Sequence, residues 1–215
     1  MIDIELNLEN KEIYKIIEKN EKNIDKKDIL EEIGKITEKI EGSNINIATC
    51  LSDKEDFVQS LLLYIENLFK FLLNSKNIDE NKIYVSITIV TNEEIKRINK
   101  TYRNIDKITD VLSFPAIEKE DIDQFIKENT KEKNEIKKEK EIKLEKEEFF
   151  GDIVISLEKV VMQSEEYGHS LIREISYLLI HSFMHLLGYD HIEKEDEIIM
   201  RKEEEKVLNA LDIKR

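Results

Sequence analysis

Residues 181–191 read His-Ser-Phe-Met-His-Leu-Leu-Gly-Tyr-Asp-His, so that three of the chain's four histidines follow the spacing H-x3-H-x2-G-x2-H. Residues four positions apart on a helix lie about 40° from each other around its axis, so His181 and His185 share one face. Gly188 can adopt the left-handed conformation that ends a helix, which lets the chain turn back and bring His191 to the other two. Three neutral imidazoles that converge on one point predict a zinc site with an open fourth position, which is typical of catalytic zinc.

The segment that leads into this motif predicts a buried helix. Ser170 is a favoured residue for capping a helix, and the helix that it begins runs to about Leu187. Apolar side chains surround the two helical histidines, namely Leu178, Leu179, Ile180, Phe183, Met184, Leu186 and Leu187. Because a helix that is hydrophobic on most sides has to be covered by other elements, we expect it at the centre of the fold.

Residues 83–90, Ile-Tyr-Val-Ser-Ile-Thr-Ile-Val, predict a strand because they are rich in β-branched side chains. Further strands are predicted at 2–7, 110–114 and 150–156. Helices are predicted at about 53–75, 92–102, 157–167 and 193–209. We expect Asn92 to cap the second of these helices and Pro115 to stop the strand before it. The mixture predicts an α+β fold, a small mixed sheet of about four strands packed by helices, with a central apolar helix that carries the pair His181 and His185.

Two segments lie outside this pattern. Residues at about 9–50 are rich in Lys, Glu and Ile and predict an extra, solvated helical stretch. Residues at about 118–148 are a charged, low-complexity insertion, which predicts either a long solvated helix or a flexible segment. A chain of 215 residues is long for one domain and short for two. We expect one domain over residues 1–215, with these two segments as additions to it.

Composition limits the partners and the compartment. The net charge of −14 argues against a general nucleic-acid binder unless basic residues are concentrated in one place. The single cysteine, Cys50, excludes an intramolecular disulfide and suits a reducing compartment. The most apolar stretch, 61–73, is too short and too polar to span a bilayer. With an acidic start and no signal peptide, the chain is expected to be cytoplasmic, with no membrane and no disulfide partner.

The histidine spacing is also that of zinc proteases, which carry a glutamate directly after the first histidine as the general base. Here that position is Ser182, whose hydroxyl has no useful basicity near neutral pH. A protease would need a carboxylate from elsewhere, for which Asp190 and Glu174 are the available donors. The zinc protease that lacks its usual glutamate is therefore one alternative.

Four blocks of sequence together resemble the YbeY family of bacterial rRNA maturation factors, which are regarded as single-strand-specific metallo-endoribonucleases. The blocks are the strand and helix at 84–103, which end in Asn-Lys-Thr-Tyr-Arg, then Thr-Asp-Val-Leu-Ser-Phe-Pro at 109–115, Gly-Asp-Ile-Val-Ile-Ser at 151–156, and Gly-His-Ser at 168–170 leading into the histidine motif. They keep the family's order and cover about residues 80–192. The family commonly has glycine and proline where this chain has Ser182 and Ile108, but neither position supplies a ligand.

The resemblance implies a function and a role for each site residue. His181, His185 and His191 become the ligands of one Zn²⁺ per chain, and Arg103 becomes the family's functional arginine near the metal. The implied reaction is phosphodiester hydrolysis on single-stranded RNA, in rRNA 3′-end maturation and ribosome quality control. The implied partners are rRNA and the small ribosomal subunit with its proteins. The nucleophile is either water or the RNA's own 2′-hydroxyl, and a ribosome-assembly factor with a mainly structural zinc is the second alternative.

Basic residues around Arg103 predict a phosphate track on an otherwise acidic protein. Lys96, Lys100, Arg103 and Lys107 lie at i, i+4, i+7 and i+11, and form one stripe if the helix continues through them. The alternative is an ordinary solvated helix face. The resemblance favours a functional role for Arg103 in particular.

The other polar residues near these blocks have simpler expected roles. We expect His169 to be structural, since it lies more than two helical turns before the first histidine of the motif. Asp190 either orients an imidazole as an outer carboxylate or forms the turn. Asp110 and Asp152 lie at strand ends, where we expect them to position neighbouring groups by hydrogen bonding.

Overall fold

A computed structural model describes residues 2–3, 16, 26–41, 54–128 and 148–214. The strands of these parts of the chain are β1 (Ile2–Asp3), β2 (Ile83–Val90), β3 (Val111–Pro115) and β4 (Glu148–Ser156). Their helices are α1 (Lys26–Glu41), α2 (Lys54–Ser75), α3 (Asn92–Arg103), α4 (Lys119–Glu128), α5 (Leu157–Tyr167), α6 (Leu171–Leu186) and α7 (Lys194–Ala210). A short 3₁₀ helix, Glu80–Lys82, precedes β2. No helix of these segments is both long enough and apolar enough to cross a membrane.

The strands form one mixed sheet in the order β1-β2-β4-β3. β1, β2 and β4 run parallel, and β3 pairs antiparallel with β4 at the edge. The predicted α+β class is therefore confirmed. Three strands have between five and nine residues, whereas the described part of β1 contributes only two. The rest of the strand predicted at 2–7 lies outside the described residues.

The central helix α6 forms where the sequence provides a cap, an apolar interior and a terminator. The hydroxyl of Ser170 accepts a hydrogen bond from the backbone N–H of Arg173 at 3.0 Å, and Gly188 follows the last turn with φ 78°. Helix α2 packs on it: Phe69 meets Phe183 edge to face, with ring centroids 5.5 Å apart. Most of α6 is buried, so its two histidines are held by a rigid part of the core.

The extra N-terminal stretch is not solvated where it is described. Ile29, Ile33 and Ile36 of α1 lie on one helical face and are buried in the main core. Glu32 on the same helix accepts a hydrogen bond from the hydroxyl of Ser170 at 2.7 Å. The prediction of solvated helices is thus wrong for α1, because one face of the helix is buried in the main core. The rest of the stretch at 9–50, apart from Ile16, is not described.

The charged insertion begins as a helix that packs on the sheet. Ile122 of α4 is buried, and Phe125 meets Phe150 of β4 edge to face at 5.1 Å between ring centroids. Residues 129–147 lie outside the described parts of the chain, so the prediction for the remainder of this segment is not tested.

One local prediction is wrong, and one strand end is shifted by a single residue. The cap of α3 is Thr91, whose hydroxyl accepts from the backbone N–H of Glu94 at 3.3 Å, whereas Asn92 accepts a hydrogen bond from the hydroxyl of Ser156. Strand β3 does stop at Pro115, but the proline is itself the last paired residue, opposite Gly151, so the strand ends one residue later than the predicted 114. A proline fits there because β3 is an edge strand, which needs no backbone donor on its outer side.

Gly151 lets β3 and α6 approach β4 closely. The β2–β4 pairing changes register beside it, since Tyr84 pairs with Phe149 while Val85 pairs with Gly151. The backbone of Gly151 has φ 139°, and a Cβ there would lie 2.2 Å from the carbonyl oxygen of Phe114 and 2.9 Å from a methyl carbon of Leu186. Only glycine fits this place without moving the strand that leads to the functional site.

Replacing Gly151 with alanine is therefore expected to lower the free energy of unfolding by about 3 kcal/mol, from backbone strain and overpacking. Urea unfolding followed by circular dichroism measures the effect. Gly34→Ala in α1 is the matched control, since nothing lies within 4 Å of its added Cβ. A helical Gly→Ala exchange at such a site is expected to stabilise by up to about 1 kcal/mol. Equal stability of Gly151→Ala and wild type would contradict the close packing.

Candidate metal centre

Three imidazoles meet at the end of α6. His181 and His185 project from the last turns of the helix, and His191 follows in the loop after it. The Nε2 atoms of His181 and His185 are 3.2 Å apart, and one ring nitrogen from each of the three residues lies within 4.8 Å of the others. The structure thus brings together the three residues that the spacing selected.

The helix terminator directs the third histidine. The backbone N–H of Gly188 donates to the carbonyl of His185, and that of Tyr189 donates to the carbonyl of Met184, both at 3.0 Å. These two bonds close the last turn in the manner of a left-handed helix end. Asp190 then accepts a hydrogen bond from the backbone N–H of His191 at 2.6 Å. Asp190 therefore shapes the turn, which is one of its two expected roles.

Hydrogen bonds indicate which ring nitrogen carries the proton in two of the histidines. His181 Nδ1 lies 2.7 Å from a carboxylate oxygen of Glu204, and His185 Nδ1 lies 3.0 Å from the carbonyl oxygen of Tyr189. Since both neighbours are acceptors, we assign the proton of each ring to Nδ1, where it is donated outward. Each Nε2 then carries a lone pair, and the two lone pairs face the same point.

This donor set fits a small divalent cation. Two nitrogens bound at 2.0–2.1 Å with tetrahedral angles are about 3.3 Å apart, close to the 3.2 Å between His181 and His185. Burial lowers the pKa of His185, and the neighbouring His181 lowers it further, which favours the neutral ring that a metal requires. Two lone pairs at this distance repel each other unless a positive centre lies between them.

Glu204 contacts the histidine cluster, and the sequence motifs do not predict it. It projects from α7, is only 3% exposed, and lies at the place of an outer carboxylate, which was one of the two roles expected of Asp190. Such a carboxylate orients a ligating histidine and raises its basicity. A signal for it exists in the sequence: Met200, Glu204 and Leu208 follow one another at steps of four, which puts an acid on the apolar face of a helix.

A cavity of about 300 Å³ opens beside the histidines and includes Arg103. Arg103 is the last residue of α3, which ends there because Asn104 adopts a left-handed conformation. Its guanidinium donates to the carbonyl of Ser113 at 2.9 Å and lies over the ring of Phe114 at 5.5 Å. Strand β3 thus holds the arginine at the mouth of the histidine cavity.

The predicted basic stripe does not form. Helix α3 ends at Arg103, so Lys107 is not on it, and Lys96 and Lys100 both pair with Asp106, at 3.4 and 2.9 Å. Lysines engaged in this way form an ordinary charged helix face. Within the described residues, Arg103 is the member of the stripe that lines the histidine cavity.

Asp110 also lines the cavity, where it is held by hydrogen bonds. Its carboxylate accepts from the side chain of Gln163 at 2.9 Å, from the backbone N–H of Val111 at 2.8 Å and from the hydroxyl of Thr109 at 3.1 Å. Burial raises the pKa of Asp110, but these three bonds together outweigh it, so the net shift is downward. The residue is a fixed carboxylate, in keeping with a positioning role.

The remaining histidine lies outside the cavity. His169 Nδ1 is 3.1 Å from the carboxylate of Glu174, which is buried beside the guanidinium of Arg173. Burial is the main cause that raises the pKa of Glu174. Ser182, which occupies the position of the protease base, is fully buried. Neither Glu174 nor Ser182 lines the histidine cavity, so the protease mechanism lacks a base at either place.

Comparison with known proteins now settles the family. The family model described as Endoribonuclease YbeY matches residues 48–212. The chain belongs to the YbeY endoribonuclease family. The resemblance predicted from four sequence blocks is therefore confirmed, and with it the class of enzyme, a hydrolase that acts on RNA.

Similar proteins cover most of this YbeY chain. Endoribonuclease YbeY of Thermoanaerobacter sp. is 43% identical over 167 residues, which are 77% of this chain and 98% of that protein. The protein of the same name from Caldicellulosiruptor saccharolyticus is 44% identical over 165 residues, 76% of this chain and 94% of its own. A solution structure of a Thermotoga maritima protein is 22% identical, with a TM-score of 0.47, over 71% of this chain and 82% of that one.

Replacing Glu204 with alanine is expected to weaken divalent-metal binding by about 10- to 100-fold, because His181 loses the acceptor that orients its ring. Competition of the purified protein with a chromogenic zinc chelator measures the dissociation constant. Glu205→Ala is the matched control, since Glu205 is the exposed neighbour on the same helix. An unchanged dissociation constant for Glu204→Ala would show that the carboxylate has no part in the metal centre.

Proposed function

We propose that this chain is a zinc-dependent endoribonuclease that hydrolyses phosphodiester bonds of single-stranded RNA. The observation that carries the proposal is the cavity that joins His181, His185 and His191 to Arg103. In a chain of the YbeY endoribonuclease family, this cavity provides a place for a cation and a cationic side chain for a phosphate. We assign the three histidines as the ligands of one zinc ion per chain.

Zinc is the cation that this donor set favours. Imidazole suits zinc, and three protein ligands with a fourth position left open are typical of catalytic zinc sites. Bound there, zinc supplies Lewis-acid chemistry to a phosphodiester. The protein's own part is to orient the rings, through Glu204 on His181 and the carbonyl of Tyr189 on His185, so that each Nε2 is left for the cation.

Arg103 is assigned to the scissile phosphate. A guanidinium has five N–H donors, and the bond to the carbonyl of Ser113 engages one nitrogen while it fixes the direction of the group. The ring of Phe114 contacts the guanidinium as well and limits its movement. Paired N–H donors then bind phosphate oxygens in two parallel bonds and stabilise the charge that develops on them.

Asp110 is assigned a positioning role, since its carboxylate already accepts hydrogen bonds from Gln163, Val111 and Thr109. The carbonyl of the same residue accepts from the backbone N–H of Ser156 at 2.8 Å, which joins the start of β3 to the end of β4. Asp110 therefore fixes the wall of the cavity that faces the histidines.

We place this activity in the cytoplasm, in rRNA 3′-end maturation and ribosome quality control, with the small ribosomal subunit and its proteins as partners. Family membership supports the role in rRNA processing. The net charge of −14 suits a protein that docks on basic ribosomal proteins. We further propose that residues 1–215 form one domain, to which the stretch at about 9–50 and the insertion at about 118–148 are additions.

The purified protein is expected to contain about one zinc per chain and to cut single-stranded RNA, because three neutral imidazoles provide the ligands. His185→Ala removes one of them and is expected to abolish both properties. Elemental analysis and a cleavage assay on a labelled oligonucleotide provide the two measurements. His169→Gln is the matched control outside the cavity. Full cleavage by a metal-free His185→Ala preparation would contradict the proposal.

Arg103→Ala is expected to keep its zinc and to lose about 10²-fold in kcat, because a donor to the transition-state charge is removed. The same two assays test this separation of roles. Arg201→Ala is the control, since Arg201 is exposed and pairs with Glu197 on α7. Loss of zinc from Arg103→Ala would contradict its assignment to the phosphate. Zinc-loaded wild type that binds RNA without cutting it would favour the assembly factor.

A further inference from the structure

A second and larger concavity lies next to the histidine cavity. It has a volume of about 780 Å³ and lies between α3 and the sheet, where Thr88, Arg97, Tyr102, Phe114 and Asp152 line it. None of the three histidines belongs to it. We call it the α3 groove.

Aromatic side chains form one end of the α3 groove. Tyr102 is 72% exposed, and its ring meets that of Phe114 edge to face with centroids 5.6 Å apart. A large ring left this exposed contributes little to the core, yet it is held in place by its neighbour. Such a ring offers a flat face to any planar group that enters the groove.

The same phenylalanine joins the groove to the histidine cavity. Phe114 lines the α3 groove, and the guanidinium of Arg103, which lines the histidine cavity, lies over its ring at 5.5 Å. Tyr102 and Arg103 are consecutive residues of α3, and both side chains contact the ring of Phe114. A base next to a phosphate at Arg103 is therefore within reach of Tyr102.

Charge decides which part of a nucleotide the α3 groove can take. Three carboxylates line it, those of Glu93, Glu94 and Asp152, and its arginine, Arg97, is already paired with Glu94 at 2.6 Å. Phosphate is repelled by this arrangement. A base edge suits it, because a carboxylate accepts hydrogen bonds from the amino groups of bases. Within the described chain, the half-buried carboxylate of Asp152 has no hydrogen-bond or ion-pair partner of its own.

We propose that the α3 groove binds one unpaired nucleobase of the substrate strand, stacked on Tyr102, next to the phosphate that Arg103 holds. This inference rests on the proposed endoribonuclease function and adds a determinant of its specificity. Stacking on an aromatic side chain requires a base whose face is free, and a base inside a duplex has none. Tyr102 thus favours an unpaired strand over a duplex.

The test is an abasic scan of the cleavage substrate. In a single-stranded RNA oligonucleotide with one defined cut site, each nucleotide near that site is replaced in turn by an abasic one. For the wild type, the loss of one particular base is expected to raise KM by about 10- to 100-fold, the range for one stacked base. For Tyr102→Ala, KM for the intact oligonucleotide rises by that factor, and removal of the same base has no further effect.

Two control variants test whether the effect depends on the aromatic ring at position 102. Tyr102→Phe keeps the ring and is expected to retain the wild-type dependence on that base. Tyr167→Ala removes another exposed tyrosine, 59% exposed and outside the groove, and is expected to leave KM unchanged. Circular dichroism checks that Tyr102→Ala is folded. If wild type cuts RNA but Tyr102→Ala keeps the same KM and the same abasic profile, the inference fails while the proposed function stands. No cleavage by the wild type contradicts the function itself.

Discussion

A buried helix that carries polar ligands has to be supplied with hydrogen-bond partners from outside itself, and this constraint organises the molecule around α6. An imidazole nitrogen without a partner in an apolar core costs free energy of the order of 1–3 kcal/mol. His181 receives its partner from α7, as Glu204, and His185 receives its partner from the turn after α6, as the carbonyl of Tyr189. The last helix and the glycine-dependent turn are thus both required by two side chains of the central helix.

The sheet provides the second half of the site, although, among the described residues, the cluster of candidate metal ligands contains no strand residue. Edge strand β3 carries the carbonyl of Ser113 and the ring of Phe114, which together hold Arg103. The strand is in turn fixed to β4 by its pairing and by the bond between Asp110 and Ser156. The position of the Arg103 side chain is therefore set by the sheet, and the positions of the helical histidines are set by helix packing. The residues that each part positions come together at the cavity.

Local signals in the sequence were sufficient for the parts of this site that depend on nearby residues. The spacing of the three histidines, the end of α6 at Gly188 and the strand at 83–90 all follow from short-range rules. Glu204 was missed because its role depends on how α7 docks, which no local pattern states, and the basic stripe failed because Asn104 ends α3 one residue after Arg103. Helix α1 was misjudged because its charged residues dominate the composition while three isoleucines make the contacts.

The hydrogen bond between His181 and Glu204 also couples two equilibria, namely cation binding at the histidines and the docking of α7. In the proposed metal centre, docking of α7 places the carboxylate that orients His181, so a bound cation and the docked helix would favour each other by the same free energy. Cation availability would then be felt as the stability of the C-terminal helix, which also covers the core through Met200, Val207 and Leu208. In such a molecule, binding of a cation at the three histidines would stabilise the docked position of α7.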